Sequence, residues 1–409
     1  MSPMGIAWRM NLSSPSPLAG SPTSPSQSLV SFDYLPLNRL IFGPGCLDRL
    51  GEVLTSLKIR RVLLVTDPGL EAAGHPQRAR KIVQDAGLEC LVFDDVEENP
   101  TTKHVELGLQ RAREYRPDGI LAVGGGSSMD CAKGINFLYS NGGKMQDYKG
   151  YGRASQPMLP SVGVPTTAGT GSESQSYALI ADDKTHLKMA CGDRKAAFQV
   201  CLLDPELTVS LPASITAISG LDAITHAIES YVCLKRNPLS KIFSLEAWRL
   251  LDQSFEHVLR SPENVDFRGQ MQLGASWAGL AIENSMLGAA HACANPITAH
   301  YGLVHGLAVS ILLPHVIRFN SQKVGHLYSD LVQGHRNSGM DPTQASEYLA
   351  NRILVFLEMA GLPVTLRDCG VSKEILFILA EEASQQWTGK FNPVPVSEDD
   401  LLSLYQSAF

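Results

Sequence analysis

An alternation of short apolar runs with amphipathic stretches, from about residue 31 to residue 204, most constrains the fold of this chain. The runs RVLLVTD (61–67), LECLVFDDV (88–96) and GILAVGG (119–125) predict strands, and HVELGLQRAREY (104–115) has the apolar spacing of a helix. GILAVGG is almost uninterrupted in its hydrophobicity, as expected of a parallel strand buried on both faces. Strands that alternate with helices predict an α/β domain with a parallel sheet.

The second half of the chain has a different pattern, because strand-like runs thin out beyond roughly residue 212. Long amphipathic segments predict helices at DAITHAIESYVCL (222–234), LSKIFSLEAWRLLDQSF (239–255), FRGQMQLGASWAGLAIEN (267–284) and ASEYLANRILVFLEMAG (345–361). We therefore expect an α/β domain at residues 28–208 and an all-α domain at residues 209–409. Residues 1–27 are rich in Pro and Ser without apolar periodicity, which predicts a disordered tail.

Composition and charge exclude several classes of protein. The formal net charge is −7 and there is no run of five or more like charges, so nothing indicates a surface for nucleic acid or an anionic membrane. The apolar stretches are too short for a membrane span. The eight cysteines are scattered, with no C-x-x-C pair, which predicts reduced thiols and a cytoplasmic protein.

A triple glycine, Gly124–Gly126, lies between a predicted strand and a helical pattern. Small residues there let the backbone approach a phosphate, which the free N–H groups and the positive end of the helix dipole attract. PTTAGTGSE (165–173) follows another strand and adds hydroxyl donors. Asp67 ends an earlier strand, where an acid can accept hydrogen bonds from an adenosine ribose and repel a 2′-phosphate. The pattern favours an NAD site. The alternative is that the glycines only form a tight turn and that Asp67 only caps a helix or a turn.

A candidate metal site is split between distant segments. Asp222 and His226 are spaced i, i+4 in a predicted helix, so their side chains share one face. His291 and His305 would be ~21 Å apart in an unbroken helix, but we expect Pro296 to interrupt it and let the chain turn back. One carboxylate and three imidazoles suit Fe²⁺ or Zn²⁺. Packed or surface histidines without a metal are the alternative.

Taken together, these segments resemble the iron-containing (group III) alcohol dehydrogenases, which have the dehydroquinate-synthase-like fold. The resemblance extends from about LNRLIFGPG (37–45) to the end of the sequence. Its motifs are ENPTT (98–102), GGGSSMDCAK (124–133), PTTAGTGSE (165–173), SGLDAITHAIESYV (219–232), HACANPITAHYGLVHG (291–306) and LAVSILLPHVIRFN (307–320). It implies a Rossmann-like α/β domain for the nicotinamide cofactor, an all-α C-terminal domain for the metal, and catalysis in the cleft between them.

The resemblance assigns roles to individual positions of this sequence. It implies the metal ligands Asp222, His226, His291 and His305. It implies cofactor contacts at Asp67, Asn99, Gly125, Gly126, Ser127, Thr166, Thr167, Thr170, Lys188 and Leu207. The implied reaction is hydride transfer between NAD and a small primary alcohol or hydroxy acid, or the aldehyde, with the substrate oxygen at Fe²⁺ or Zn²⁺. A homodimer is a further expectation.

This sequence departs from the family's pattern at two positions. Many members have a histidine four residues after the third ligand, where it is thought to relay a proton, and here that residue is Asn295. An amide can orient a water or a substrate oxygen but cannot act as a base. His300, or a water held by Asn295, is therefore the candidate for proton transfer, although His300 could simply be packed or hydrogen-bonded. Val304 replaces the usual proline before the fourth ligand.

Two functions other than alcohol oxidation are weighed. A lyase or cyclase of the dehydroquinate synthase type would need basic residues for a phosphate and a carboxylate, and residues 285–315 offer none. A non-catalytic NAD-binding relative is suggested by Asn295, but retention of all four ligand positions argues against it.

Overall fold

The computed structural model describes residues 31–185, 187–336 and 339–409, with no side-chain description at 334–336. The tail expected at residues 1–27 lies outside the described residues. Residues 34–409 form one compact unit. Among the described residues, no helix combines the length and the apolar character needed to cross a bilayer.

A six-stranded parallel sheet forms the centre of the first half. Its strands are β1 (Arg39–Phe42), β2 (Arg61–Val65), β3 (Glu89–Phe93), β4 (Gly119–Gly124), β6 (Ser161–Pro165) and β9 (Val200–Leu203). The strand order is β1-β9-β6-β4-β2-β3, and every neighbouring pair is parallel. The predicted α/β fold with a parallel sheet is therefore confirmed.

Helices cover both faces of this sheet. They are α1 (Leu50–Ser56), α2 (Pro68–Glu71), α3 (His75–Asp85), α4 (Thr102–Tyr115) and α5 (Gly126–Asn141). On β2, Leu63 packs with residues of α4 and α5, whereas Leu64 packs with residues of α1 and α3. Successive side chains of a strand point to opposite faces, so a strand covered on both sides must be apolar throughout. All six residues of β4 are buried for this reason.

A second, three-stranded sheet was not predicted from the sequence. It joins β5 (Gly150–Tyr151), β8 (Lys188–Gly192) and β7 (Tyr177–Ala181) in that order, with β7 and β8 antiparallel. These strands are short and only partly buried, so they lack the continuous apolar run that identifies the central strands.

The predicted all-α half is also confirmed. Its helices are α6 (Ala213–Val232), α7 (Pro238–Arg260), α8 (Val265–Glu283), α9 (Ala289–Tyr301), α10 (His305–Arg336), α11 (Pro342–Met359), α12 (Leu376–Ser384) and α13 (Glu398–Ala408). They enclose one apolar core in which Trp248 and Phe255 are among the large buried side chains.

Helix α8 connects this half to the sheet. Its Glu283 carboxylate accepts hydrogen bonds from the Ser176 N–H at 2.9 Å and the Ser176 hydroxyl at 2.7 Å. Gly279 lies so close to Gly171 that a Cβ at Gly279 would be 2.5 Å from the Gly171 carbonyl oxygen. Backbones this close require glycine on both sides. The cleft between the halves is therefore closed at this point by direct contact.

Candidate active-site cleft

A cleft of about 1160 Å³ lies between the sheet and the helices. Single small-molecule sites usually occupy roughly 300–1,000 Å³, so this cleft can hold a cofactor and a substrate together. Most of the residues predicted for the site line it. They are Asp67, Asn99, Gly125, Gly126, Ser127, Thr166, Thr167, Thr170, Lys188, Asp222, His226, His291, Asn295 and His305.

Leu207 and His300 do not lie on the wall of this cleft. Leu207 is fully buried in the apolar core behind the sheet. His300 is exposed near the end of α9, and its Nε2 is 3.0 Å from both carboxylate oxygens of Glu382. The structure brings together the other predicted residues but leaves these two outside.

The glycine-rich loop after β4 has the geometry expected of a phosphate site. Gly125 precedes the first residue of α5, so the N–H groups at the start of that helix face the cleft. A Cβ at Gly126 would be 2.6 Å from the Thr170 side chain, which shows how closely the two predicted loops meet. Asp67 accepts a hydrogen bond from the Ser128 hydroxyl at 3.0 Å, and this fixes its carboxylate at the end of β2.

A buried lysine supports the threonine-rich loop from behind. The Lys133 ammonium donates to the Ser172 carbonyl at 2.7 Å, the Ser172 hydroxyl at 2.8 Å and the Tyr177 carbonyl at 2.7 Å. Asp130 accepts from the Ser172 hydroxyl at 2.5 Å and lies 3.6 Å from the ammonium. Burial lowers the pKa of Lys133, and the Asp130 charge opposes that effect. The loop is thus held rigidly against α5.

Three of the four predicted metal ligands converge on one point. Asp222, His226 and His291 each offer a ligand atom, and these atoms lie within 4.8 Å of one another. The Asp222 Oδ1 is 3.4 Å from His226 Nε2 and 3.8 Å from His291 Nε2. His305 is beside them, with its ring centroid 5.4 Å from that of His291.

Two of the converging atoms are buried without a hydrogen-bond partner: Asp222 Oδ1 and His291 Nε2, which lie 3.8 Å apart. An unpaired buried polar atom costs about 1–3 kcal/mol, and a cation bound there would satisfy both atoms. Burial lowers the pKa of His226 to about 4 and that of His305 to about 3, so both imidazoles are neutral and keep a lone pair. The donor set fits Fe²⁺ or Zn²⁺.

Glu229 is a functional residue that sequence reasoning missed. Its Oε2 accepts from the His291 Nδ1–H at 2.6 Å and from the Gly288 N–H at 3.0 Å, and its Oε1 accepts from the Ala290 N–H at 2.7 Å. A carboxylate on one nitrogen of a histidine fixes which nitrogen is free for a metal. The sequence did contain an indication of this role, because Glu229 follows His226 by three residues and shares its helix face.

The chain turns between His291 and His305 at a different place from the one predicted. Pro296 does not end the helix, because α9 continues through it to Tyr301. The turn comes at Gly302, whose φ of +63° allows the left-handed conformation that ends many helices. A Cβ at Gly306 would be 2.5 Å from the Ile218 carbonyl oxygen, so glycine is needed where α10 meets α6.

Asn295 is hydrogen-bonded to another amide on the cleft wall. Its Nδ2 donates to Gln386 Oε1 at 3.0 Å, and both residues line the cleft. The next residues, Trp387 and Thr388, also line it, and sequence reasoning found none of these three.

Comparisons with known proteins agree with this geometry. A family model described as iron-containing alcohol dehydrogenase matches residues 37–205, and one for the C-terminal region of the same family matches residues 216–409. The chain is 33% identical to 1,3-propanediol dehydrogenase of Citrobacter freundii, covering 92% of this chain and 99% of the relative. It is 31% identical to the NAD-dependent methanol dehydrogenase of Bacillus methanolicus, covering 90% and 97%.

A solved structure of 1,3-propanediol oxidoreductase has the same fold. It superposes with a TM-score of 0.90 at 32% identity, covering 93% of this chain and all of the other.

Proposed function

Because the chain belongs to the iron-containing alcohol dehydrogenase family, we propose that it transfers a hydride between NAD and a small primary alcohol or hydroxy acid, or the corresponding aldehyde, in this cleft. The enzyme class, an NAD-dependent alcohol oxidoreductase, follows from the family. The observation that carries the proposal is that Asp222, His226 and His291 bring their ligand atoms within 4.8 Å of one another in the same cleft that the glycine-rich loop lines.

Asp222, His226, His291 and His305 would hold the metal, for which we propose Fe²⁺, with Zn²⁺ as the alternative. A divalent metal supplies Lewis acidity, which lowers the pKa of a hydroxyl group beside it. The protein holds these four side chains on α6, α9 and α10, with Asp222, His226 and His291 buried and His305 half-buried. Glu229 orients His291, and the close contact at Gly306 fixes α10 against α6.

The opposite wall holds the dinucleotide. The N–H groups at Gly125–Ser127 would bind its phosphates, and Thr166–Thr170 would form the adjoining wall. Lys188 donates to the Asn99 side chain at 3.1 Å, which ties β8 to the loop after β3. Asp67 would accept hydrogen bonds from the adenosine ribose, and its charge would repel the 2′-phosphate of NADP. We propose that Leu207, which the family resemblance implies as a cofactor contact, acts only through the packing of the sheet, because its side chain is buried.

In oxidation, the alcohol carbon gives a hydride, with both electrons of its C–H bond, to the nicotinamide, and the hydroxyl group loses its proton. The Asn295 side chain cannot accept that proton, but it can orient a water that does. The His300 ring is hydrogen-bonded to Glu382, and neither residue lines the cleft. We therefore assign proton transfer to a water held by Asn295 in preference to His300.

Two further expectations belong to this proposal. All eight cysteines are free thiols, which supports a cytoplasmic location. Strand β1 pairs only with β9 among the described strands, so its other edge is open to a second copy, which supports a homodimer.

The test compares two histidine variants. His226→Ala should lose bound metal and turnover of short primary alcohols while still binding NAD, because the phosphate loops are untouched. His300→Ala is the matched control and should retain the metal, the activity and the pH–rate profile. Metal analysis, NADH absorbance and an NAD binding titration supply the readouts. A full complement of metal in His226→Ala would remove that residue from the ligand set, and a changed pH–rate profile in His300→Ala would return proton transfer to His300.

A further inference from the structure

Three aromatic side chains line the cleft from both halves of the molecule. Tyr151 is on β5, Tyr177 is on β7, and Trp387 begins the 3-10 turn Trp387–Phe391. The ring centroids of Tyr151 and Tyr177 are 5.6 Å apart, and those of Tyr177 and Trp387 are 6.2 Å apart. The three rings form a continuous surface, which we call the aromatic wall.

The aromatic wall keeps much of its apolar surface uncovered. Tyr151 is 55% exposed and Trp387 is 38% exposed, although both belong to the lining of a cleft. Aromatic side chains contribute most to stability or binding when their faces are buried. Exposed rings inside a cleft therefore indicate a surface that a ligand covers. Neither the metal ligands nor the phosphate loops account for these rings.

One hydrogen bond and one packing contact hold the Trp387 end of the aromatic wall next to the predicted ligands. Trp387 directly follows Gln386, whose side-chain oxygen accepts from Asn295, and Asn295 is one helical turn beyond His291. A Cβ at Gly389 would be 3.3 Å from that of Ala292, so the turn containing Trp387 packs directly on α9. Asn295 therefore acts as a positioning residue for this part of the wall.

The other side of the aromatic wall is fixed to the sheet. The Tyr177 carbonyl accepts from the buried Lys133, and Glu283 holds the preceding Ser176. Burial raises the pKa of the Tyr177 hydroxyl to about 12, so this ring stays neutral. The neighbouring lining includes Ile282, Met286 and Leu287, which are apolar.

We propose that the aromatic wall binds a flat apolar group, such as an aryl ring, of a primary alcohol whose hydroxyl group lies at the predicted metal ligands. The inference rests on the proposed function, because it names the substrate class for the same site. Stacking of flat groups on aromatic rings favours a planar substrate over a puckered one of equal size. The nicotinamide ring is the other flat group that could cover these side chains, and the test separates the two.

The test uses three alcohols on the iron-loaded protein: ethanol, benzyl alcohol and cyclohexylmethanol. Wild-type kcat/KM should be about threefold to tenfold higher for benzyl alcohol than for cyclohexylmethanol, as expected from an aromatic contact. Trp387→Ala should lower the benzyl alcohol to ethanol ratio of kcat/KM about tenfold, mainly through the KM for benzyl alcohol, and Trp387→Phe should restore most of it. Asn295→Ala should shift the same ratio in the same direction, because it releases Gln386.

A binding measurement keeps the inference separate from the proposed function. Benzyl alcohol should quench tryptophan fluorescence of the wild type and of Trp277→Phe, a control outside the cleft lining, but not of Trp387→Phe. If no alcohol is oxidised and the quenching pattern holds, the proposed function fails and the binding inference stands. If ethanol is oxidised and Trp387→Ala raises the KM for NAD with no change in the alcohol ratio, the wall serves the nicotinamide and the inference is overturned.

Discussion

Glu229 shows how one carboxylate can serve two purposes. It accepts hydrogen bonds from two backbone N–H groups at the start of α9, which otherwise have no partner within the helix, and a third hydrogen bond from the His291 ring. A charge at a helix N-terminus interacts favourably with the helix dipole. The same contacts therefore begin the helix and orient the residue that faces Asp222.

Replacement of Glu229 should weaken metal binding without removing a ligand. Glu229→Ala is expected to lower metal affinity by about 10-fold to 100-fold, the usual effect of losing the carboxylate behind a ligating histidine. Glu229→Gln keeps one acceptor oxygen and should fall between Ala and wild type. Chelator competition measures the affinity, and a thermal melt of the metal-free protein reports the lost helix contacts. Glu382→Gln, which alters the partner of His300 outside the cleft, is the control; equal affinity in Glu229→Ala and wild type would contradict the assigned role.

At the level of single residues, spacing predicted contacts within an element and missed those between elements. Asp222 and His226 were found because i, i+4 places two side chains on one helix face. The hydrogen bond between Asn295 and Gln386 joins residues 91 positions apart, and no local sequence pattern indicates it. The same holds for the separation of His300 from the cleft, which depends on where Glu382 packs.

Helix α9, which carries His291, illustrates what decides whether a proline ends a helix. A proline in a helix interior removes one hydrogen bond and crowds the preceding turn, at a cost of about 3 kcal/mol, and that cost led us to expect a break at Pro296. The packing of α9 outweighs it: its residues from Ala289 to Ala294 are buried, and the Tyr405 hydroxyl of α13 donates to the Cys293 carbonyl at 2.6 Å. Tertiary contacts of this kind cannot be read from the sequence of the helix alone.

Gly306→Ala should destabilise the protein although alanine favours helices. Helix propensity alone would make this change stabilising by about 0.5–1 kcal/mol. A Cβ here would be 2.5 Å from the Ile218 carbonyl and 3.2 Å from the Cβ of Asp222, so α10 must move away from α6. We expect a net loss of about 1–3 kcal/mol, as for an overpacked core, together with weaker metal binding. Urea denaturation and metal analysis measure the two effects, and a stabilised variant with normal metal content would contradict the close contact.

In the molecule as a whole, the cleft depends on α8, which contacts both the helical core and the loop that follows β6. The hydrophobic pattern predicted the sheet, the helices and their order, because burial of apolar faces sets these. It did not predict how the two halves meet, since that contact is made by glycines and by polar bonds such as Gln272 Nε2 to the Pro165 carbonyl at 3.0 Å.

Gly279→Ala should affect the NAD site from a distance. The added Cβ would meet the Gly171 carbonyl at 2.5 Å and displace the loop that contains Thr170. We expect a loss of about 1–3 kcal/mol in the free energy of unfolding, and a KM for NAD that is higher in the variant than in the wild type. Gly269→Ala in the same helix is the control, because its Cβ would come no nearer than 3.3 Å to any neighbour. An unchanged KM for NAD in Gly279→Ala would show that the loop does not depend on this contact.

The pairing of β1 with β9 has a consequence for the order of events during synthesis. Arg39 pairs with Val200, so the first strand leaves the ribosome long before its partner exists. At a synthesis rate of about 5–20 residues per second, the delay is on the order of ten seconds or more. During that time the apolar Ile41 and the open backbone of β1 have nothing to pair with in the sheet. The first strand to be made is therefore among the last to be incorporated into the sheet. A chaperone has its longest opportunity to bind at β1.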